Sequence, residues 1–326
     1  LLVEPANGVA CVIGLPSLSL IVPAYNEEAN IAETVRQIAA EAARLVPGFE
    51  IIIVDDGSRD GTCAAALEIG KTIPLRLLRF SRNFGKEQAI MAGLNAARGD
   101  AVVILDADLQ EPISYLEPML KHRAEGYDMV YAVRANRTDE GIAKRLFTRV
   151  FYKFINYGGE TSIPEDARDF RLMDRKVVNA LCALPENNRF MKGLYSWVGF
   201  RSIAVPIKLA PRKGGSSKFG FRSLLRHGLT GMTSFTNWPL RVWTGIGFGI
   251  AVLSILYGIW IFLRTLFFGV DVPGWSTLTV AVFLLGGVQL ISVGVLGEYL
   301  ARVFAEVKGR PGYIIAEEIE TTSEGK

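Results

Sequence analysis

The string Leu105-Asp106-Ala107-Asp108-Leu109-Gln110-Glu111-Pro112 closes the apolar run Ala101–Leu105. Two carboxylates two residues apart at a strand end can face one divalent cation. Mg2+ and Mn2+ favour such oxygen ligands and commonly bridge to substrate phosphates. A metal held there would neutralise a diphosphate as it departs. An isolated Asp-X-Asp is a weak signal, because many loops contain one; its place in the longer string strengthens it. Asp55-Asp56-Gly57-Ser58 ends a second apolar run, where a carboxylate can accept hydrogen bonds from a base or ribose. The plain alternative is an ordinary Asp-Gly turn. Pro23-Ala24-Tyr25-Asn26-Glu27 follows a third run.

To bring these groups together the chain needs elements whose ends share one edge. Apolar runs at Leu18–Val22, Glu50–Val54, Leu75–Phe80, Ala101–Leu105 and Met129–Val133 read as strands. Helical patterns lie between them, at about Glu27–Leu45, Ala64–Ile69, Glu87–Ala97 and Ile113–Glu125. Strands alternating with helices imply an α/β fold with a mostly parallel sheet. Open sheets of this kind bind ligands at the carboxyl ends of their strands. All three polar strings fall there.

Half of the 326 residues are hydrophobic, and part of that material is expected to serve a membrane. The stretches 242–263 and 272–297 carry no charge, and each is long enough to span a bilayer, which takes roughly 20 apolar residues. The short link between them predicts a transmembrane hairpin with both outer ends on one side. No acidic residue occurs from Asn187 to Val270, while Arg212, Lys213, Lys218, Arg222 and Arg226 lie before the first span. Basic charge collects on the cytoplasmic side, so the large N-terminal region is expected there. The segment 221–240 mixes apolar residues with Arg222, Arg226 and His227, as a helix lying on a bilayer surface would.

Cys11, Cys63 and Cys182 are too scattered for a zinc pattern or a disulfide framework. His122 and His227 have no companions that suggest zinc. The stripe Phe147, Phe151, Tyr152 and Phe154 has helical spacing and reads as core or membrane-surface contact. Leu1–Asn7 lacks a basic segment and Pro16 interrupts the apolar run after it, so no secretory signal is read at the start. The residues after Ile315 are acidic and polar and are expected to fray. Nucleic-acid binding has little support, because the basic block lies beside apolar spans.

Taken in order, Ser19-Leu20-Ile21-Val22-Pro23-Ala24-Tyr25-Asn26-Glu27-Glu28, Val54-Asp55-Asp56-Gly57-Ser58, Ser81-Arg82-Asn83-Phe84-Gly85-Lys86 and the Asp106 string resemble a family 2 glycosyltransferase with a GT-A fold. Asp169-Phe170-Arg171-Leu172-Met173-Asp174-Arg175 and the paired-helix ending at Gly297-Glu298-Tyr299 narrow the resemblance. It is closest to polyprenyl-phosphate glycosyltransferases related to dolichol-phosphate mannose synthase, in the bactoprenol glucosyltransferase branch, and covers almost the whole chain.

The resemblance implies a nucleotide-sugar donor, UDP-glucose first, a polyprenyl phosphate acceptor, Mg2+ or Mn2+, and inversion at the anomeric carbon. By it, Pro23, Tyr25 and Glu27 line the base pocket with Asp55 and Asp56 nearby. Asp106 touches the ribose or sugar, Asp108 is the main metal ligand, and Gln110 assists at the metal or diphosphate. Asp169 sits at the reaction centre, as a base or as an orienting group. Arg134, Arg212 and Lys218 would meet the acceptor phosphate. The expected organisation is an extension over 1–16, a GT-A catalytic domain over 17–220 and a juxtamembrane helix over 221–240. Spans at 241–264 and 272–298 and a cytoplasmic tail over 299–326 follow. The expected setting is a bacterial inner membrane, with both termini cytoplasmic and the hairpin available for self-association into a homo-oligomer. UDP-galacturonic acid, UDP-N-acetylhexosamine, galactose donors and GDP-mannose remain open. A processive synthase would need more spans, and a non-catalytic scaffold would not need every acidic position that is present.

Overall fold

The computed structural model describes residues 17–108, 110–135, 164, 167–187, 189–209, 238–268 and 274–321. The juxtamembrane segment up to residue 237, the stripe from Phe147 to Phe154, Cys11, His227, Arg212 and Lys218 lie outside the described residues.

Eight strands form one sheet: β1 (Leu18–Ala24), β2 (Phe49–Asp55), β3 (Arg76–Phe80), β4 (Ala101–Ile104), β5 (Met129–Arg134), β6 (Ala167–Asp174), β7 (Ser202–Ile207) and β8 (Ile315–Glu320). Their order is β7-β5-β6-β4-β1-β2-β3-β8. The central pairs β4-β1, β1-β2 and β2-β3 are parallel, as is β5-β7, while β6 runs antiparallel to both neighbours and β8 antiparallel to β3. The chain reverses its direction of strand addition beside β1. That is the switch point where open α/β sheets bind ligands.

Burial follows from the pleat. Leu20, Val22, Ile51, Ile53 and Val103 point to one face and join a core with Ile31, Val35, Ile38 and Leu45 of α1 (Ile31–Leu45). With Ala42, those helix positions recur at three- and four-residue steps, the signature of one buried stripe. Ile21, Ile52, Val54, Val102 and Ile104 point to the other face. There they meet α3 (Lys86–Ala96), which follows α2 (Thr62–Gly70), together with α5 (Arg175–Ala183) and α6 (Met191–Trp197). Covered on both faces, the central strands are apolar almost throughout, as parallel strands must be. The helix α4 (Leu116–Ala124) lies on the first face through Leu116, Met119 and Leu120.

Two long helices, α7 (Trp238–Phe268) and α8 (Trp275–Val307), follow. Leu253, Phe268, Leu290 and Leu300 are exposed on them. Among the described residues, Leu284–Val307 has the length and hydropathy to cross a membrane. α7 begins three residues before the first expected span and ends four beyond it, and α8 runs nine residues past the second.

The frayed tail expected after Ile315 is not what forms. Ile315–Glu320 is a strand, and its glutamates face arginines: Arg76 to Glu318 at 2.6 Å, Arg79 to Glu317 at 3.3 Å and Arg98 to Glu320 at 3.5 Å. The acidic composition that suggested a solvated tail is the complement of a basic sheet edge.

Candidate active site

The loops after β1 and β2 are zipped together. Asn26, with a φ of 55°, donates its N–H to Ser58 Oγ at 2.9 Å, and its side-chain oxygen accepts from Arg59 N at 2.9 Å. Glu27 N donates to Thr62 Oγ1 at 2.8 Å, while the Glu27 carboxylate accepts from Asn30 at the start of α1. Pro23 is buried within β1, in register with Val54. It lies past the last β4 partner, Ile21, where a missing N–H breaks no ladder on that side. Tyr25 is exposed. Of the three residues expected at a base pocket, Pro23 is therefore buried, Glu27 half-buried and Tyr25 exposed.

Asp55 is fully buried; one oxygen accepts from Ser58 N at 3.0 Å, and Oδ2 has no hydrogen-bond partner among the described residues. Arg79 Nε stands 3.9 Å from it. Asp56 faces the loop before α3 and accepts from Phe84 N at 2.6 Å and from Gly85 N at 2.9 Å. Burial raises the Asp56 carboxyl, and those two N–H groups oppose the rise. Gly57 has a φ of 66° and its Cα lies against the backbone of Arg82 and Asn83. Any side chain there would force the two loops apart.

Register brings the remaining acids level. Ile104 of β4 pairs with Arg171 of the antiparallel β6. Two residues beyond one and two residues before the other stand Asp106 and Asp169. Arg134, at the end of β5, opens on the same sheet edge, because β5 also runs antiparallel to β6. Asp108 accepts from Gln110 N at 3.2 Å, which folds the Asp106 string into a tight turn. Thr34 Oγ1 pins that turn by donating to Ala107 O at 2.9 Å.

The structure adds a residue that the sequence reading did not assign to the site. Lys86, the first residue of α3, places Nζ 2.5 Å from Asp106 Oδ1 and 2.5 Å from Asp169 Oδ2. Burial would lower its ammonium, but the two carboxylates raise it. Burial would likewise raise Asp169; Lys86, with Lys192 behind it, outweighs burial and holds the carboxyl down to about 2. Glu87 is pushed up to about 7, by burial first and by Asp169 second. Glu111, beside the same turn, bonds Arg168 Nε at 2.8 Å. Under β6, buried Arg171 lies 3.9 Å over the Tyr195 ring and 4.9 Å over the Tyr131 ring.

The thiols of Cys63 and Cys182 are raised by burial, which leaves them unreactive. His122 pairs with Glu125 at 2.9 Å at the end of α4. Among the described residues no three His, Cys, Asp or Glu side chains converge as a metal cage.

An edge of acidic strand ends on an α/β sheet, followed by two long apolar helices, defines a nucleotide-sugar transferase architecture of the GT-A type. Residues 19–182 match the family model described as glycosyl transferase family 2, and residues 238–303 match the one described as the GtrB C-terminal hairpin. The chain belongs to glycosyl transferase family 2. An uncharacterised glycosyltransferase of Synechocystis sp. is 44% identical over 301 residues, covering 92% of this chain and 95% of that one. The SfII prophage-derived bactoprenol glucosyl transferase of Shigella flexneri is 45% identical over 300 residues, covering 91% and 97%. Among solved structures, a mannosyltransferase from Pyrobaculum calidifontis in complex with GDP-Man and Mn2+ is 19% identical, with a TM-score of 0.47 over 94% of this chain and 90% of that one.

Proposed function

We propose that this enzyme transfers one glucose from UDP-glucose to polyprenyl phosphate at the cytoplasmic face of a membrane, with inversion at the anomeric carbon. The carrying observation is the tie between Asp169 and Lys86. A carboxylate held down to about 2 is a poor proton acceptor. A lipid phosphate needs no strong base, because a phosphomonoester with a second pKa of about 6 is already largely anionic near neutral pH. Asp169 therefore orients, and Lys86 is what it orients. An ammonium has three donors; Asp106 and Asp169 use two, and the third, with no partner among the described residues, would meet a diphosphate oxygen. Positioning and charge neutralisation would then carry most of the rate.

Asp55 Oδ2, buried with no hydrogen-bond partner among the described residues, suits an imide N–H of a pyrimidine base. Of the two aspartates in its string, Asp108 is the one that Lys86 does not take, which favours it, with Gln110, as the protein's ligand to Mg2+ or Mn2+. A sparse set is what such an ion needs, since it keeps waters and draws further oxygens from substrate phosphates. When bound, it would neutralise the departing diphosphate. Arg134 at the sheet edge, with Arg212 and Lys218 of the basic loop, would hold the acceptor phosphate; arginine suits it through paired donors. The two apolar helices would span the bilayer as a hairpin, with the catalytic domain and both termini on the basic, cytoplasmic side.

The test is a donor screen: purified full-length protein in detergent, Mg2+ or Mn2+, undecaprenyl phosphate and a panel of nucleotide sugars, with the lipid product read by mass spectrometry. A hexose-phosphate lipid formed from UDP-glucose alone supports the reading. Product from GDP-mannose, UDP-galacturonic acid or a UDP-N-acetylhexosamine instead would keep the reaction class and replace the sugar, and no product from any donor would overturn it.

A further inference from the structure

The end of α8 is tied into the catalytic domain beside Lys86. Gly309 takes a φ of 62° just past the helix, the left-handed turn that commonly ends one, and Pro311 prevents continuation. Glu306 accepts from Asn187 N at 3.1 Å. Ser81 N donates to Ile314 O at 3.0 Å, and β8 then runs along β3. Between helix and strand stands Tyr313. Its ring stacks on Phe80, with centroids 5.1 Å apart and planes 12° apart, and its hydroxyl accepts from Asn95 Nδ2 at 3.1 Å. Phe80 meets Phe84 edge-on at 5.7 Å. The backbone of Phe84 and Gly85 is gripped by Asp56, and the next residue is Lys86.

We infer that Tyr313 is a positioning residue for the transfer reaction: through Phe80 and Phe84 it fixes the Ser81–Gly85 loop that aims Lys86 between Asp106 and Asp169. This rests on the role given to Lys86 above. The chain of contacts is short and made of packed rings, and offset-stacked and edge-on pairs both have defined geometry. Asp56 holds the loop from the β2 side, and Tyr313 holds it from the β8 side. A residue six positions past the end of α8 thereby sets the position of a charge in the donor site.

The experiment uses the full-length enzyme in detergent and compares Tyr313→Phe, Tyr313→Leu, Phe84→Leu and the Tyr313→Leu/Phe84→Leu double variant. Tyr313→Phe keeps the stack and should stay within about two-fold of wild type. Tyr313→Leu keeps apolar bulk but not the stack; a misplaced charge should lower kcat about ten-fold, with the donor KM within about two-fold of wild type. Residues acting through one another are non-additive, so the double variant should be no slower than the slower single change. An unchanged kcat for Tyr313→Leu, or losses that multiply in the double variant, would overturn the inference while leaving the proposed function standing. Absence of lipid product from wild type would instead strike the proposed function. Hydrogen exchange over residues 81–87 reads the strap without turnover: it should quicken in Tyr313→Leu and not in Tyr313→Phe, and equal protection in all three proteins would also overturn the inference.

Discussion

Replacing Lys86 by methionine keeps most of the stem and removes the ammonium. Its Nζ lies 2.5 Å from an oxygen of each carboxylate; at an effective dielectric of about 20 the gross attraction is about 7 kcal/mol per pair. Desolvation returns most of that, and the side chain is 43% exposed, so solvent screening cuts the remainder. What matters for rate is the part realised as charge develops on the diphosphate. Loss of one preorganised donor at such a position costs about 3–4 kcal/mol, or roughly 10²–10³ in kcat. A second signature separates an orienting Asp169 from a basic one. In wild type Asp169 stays ionised down to about 2, so it contributes no acid limb to kcat above that. Without Lys86, burial is less opposed and the carboxyl titrates higher. The Lys86→Met variant should therefore lose activity as pH falls through the weakly acidic range where wild type is flat. Initial rates of lipid-product formation across pH, at saturating donor and acceptor, measure both effects. A kcat within about three-fold of wild type, with an unshifted profile, would refute the role given to Lys86.

Asp108→Ala should abolish metal-stimulated turnover and weaken Mn2+ binding followed by electron paramagnetic resonance; full activity in that variant would remove Asp108 from the metal site. Asp56→Ala strips the acceptor from Phe84 N and Gly85 N, which should cost about 2–4 kcal/mol in chemical denaturation, and an unchanged midpoint would contradict the clasp. Glu87 titrates near 7 when folded, above its ordinary value. The folded state thus favours its protonated form, and the associated stability is present at low pH and lost as pH rises through about 7. Glu87→Gln should accordingly melt higher than wild type near pH ~8, with the gap closing towards pH ~5; a gap independent of pH would argue against the shift.

The central sheet was legible because its strands are buried on both faces and show as plain apolar runs between helical patterns. Asp55 and Asp106 stood out as candidates because each directly follows such a run, with Asp56 and Asp108 one and two residues further on. β6 was not read as a strand. Its inward residues Phe170 and Leu172 alternate with Arg171 and Met173, and the arginine is accommodated only by the Tyr131 and Tyr195 rings that the fold supplies. β7 is interrupted by Pro206 and is exposed at alternate positions. β8 looks like a solvated tail until Arg76, Arg79 and Arg98 are placed opposite it. Lys86 closes one of the strings that carry the family resemblance, but that string gave it no role. A single lysine at the start of a helix acquires meaning only when residues 83 positions apart in sequence come into contact.

The pairing of β8 with β3 also dictates an order of events during synthesis. β3 leaves the ribosome early, and its outer edge then stays unpaired while α7 and α8 are made. An open strand edge is a template for wrong pairing, and contacts between distant parts of a chain are slow to form. Thr321 Oγ1, which accepts from Leu75 N across a separation of 246 residues, comes after both apolar helices. The catalytic sheet is therefore complete only once the two long helices have been made, so an interrupted chain carries an unfinished transferase.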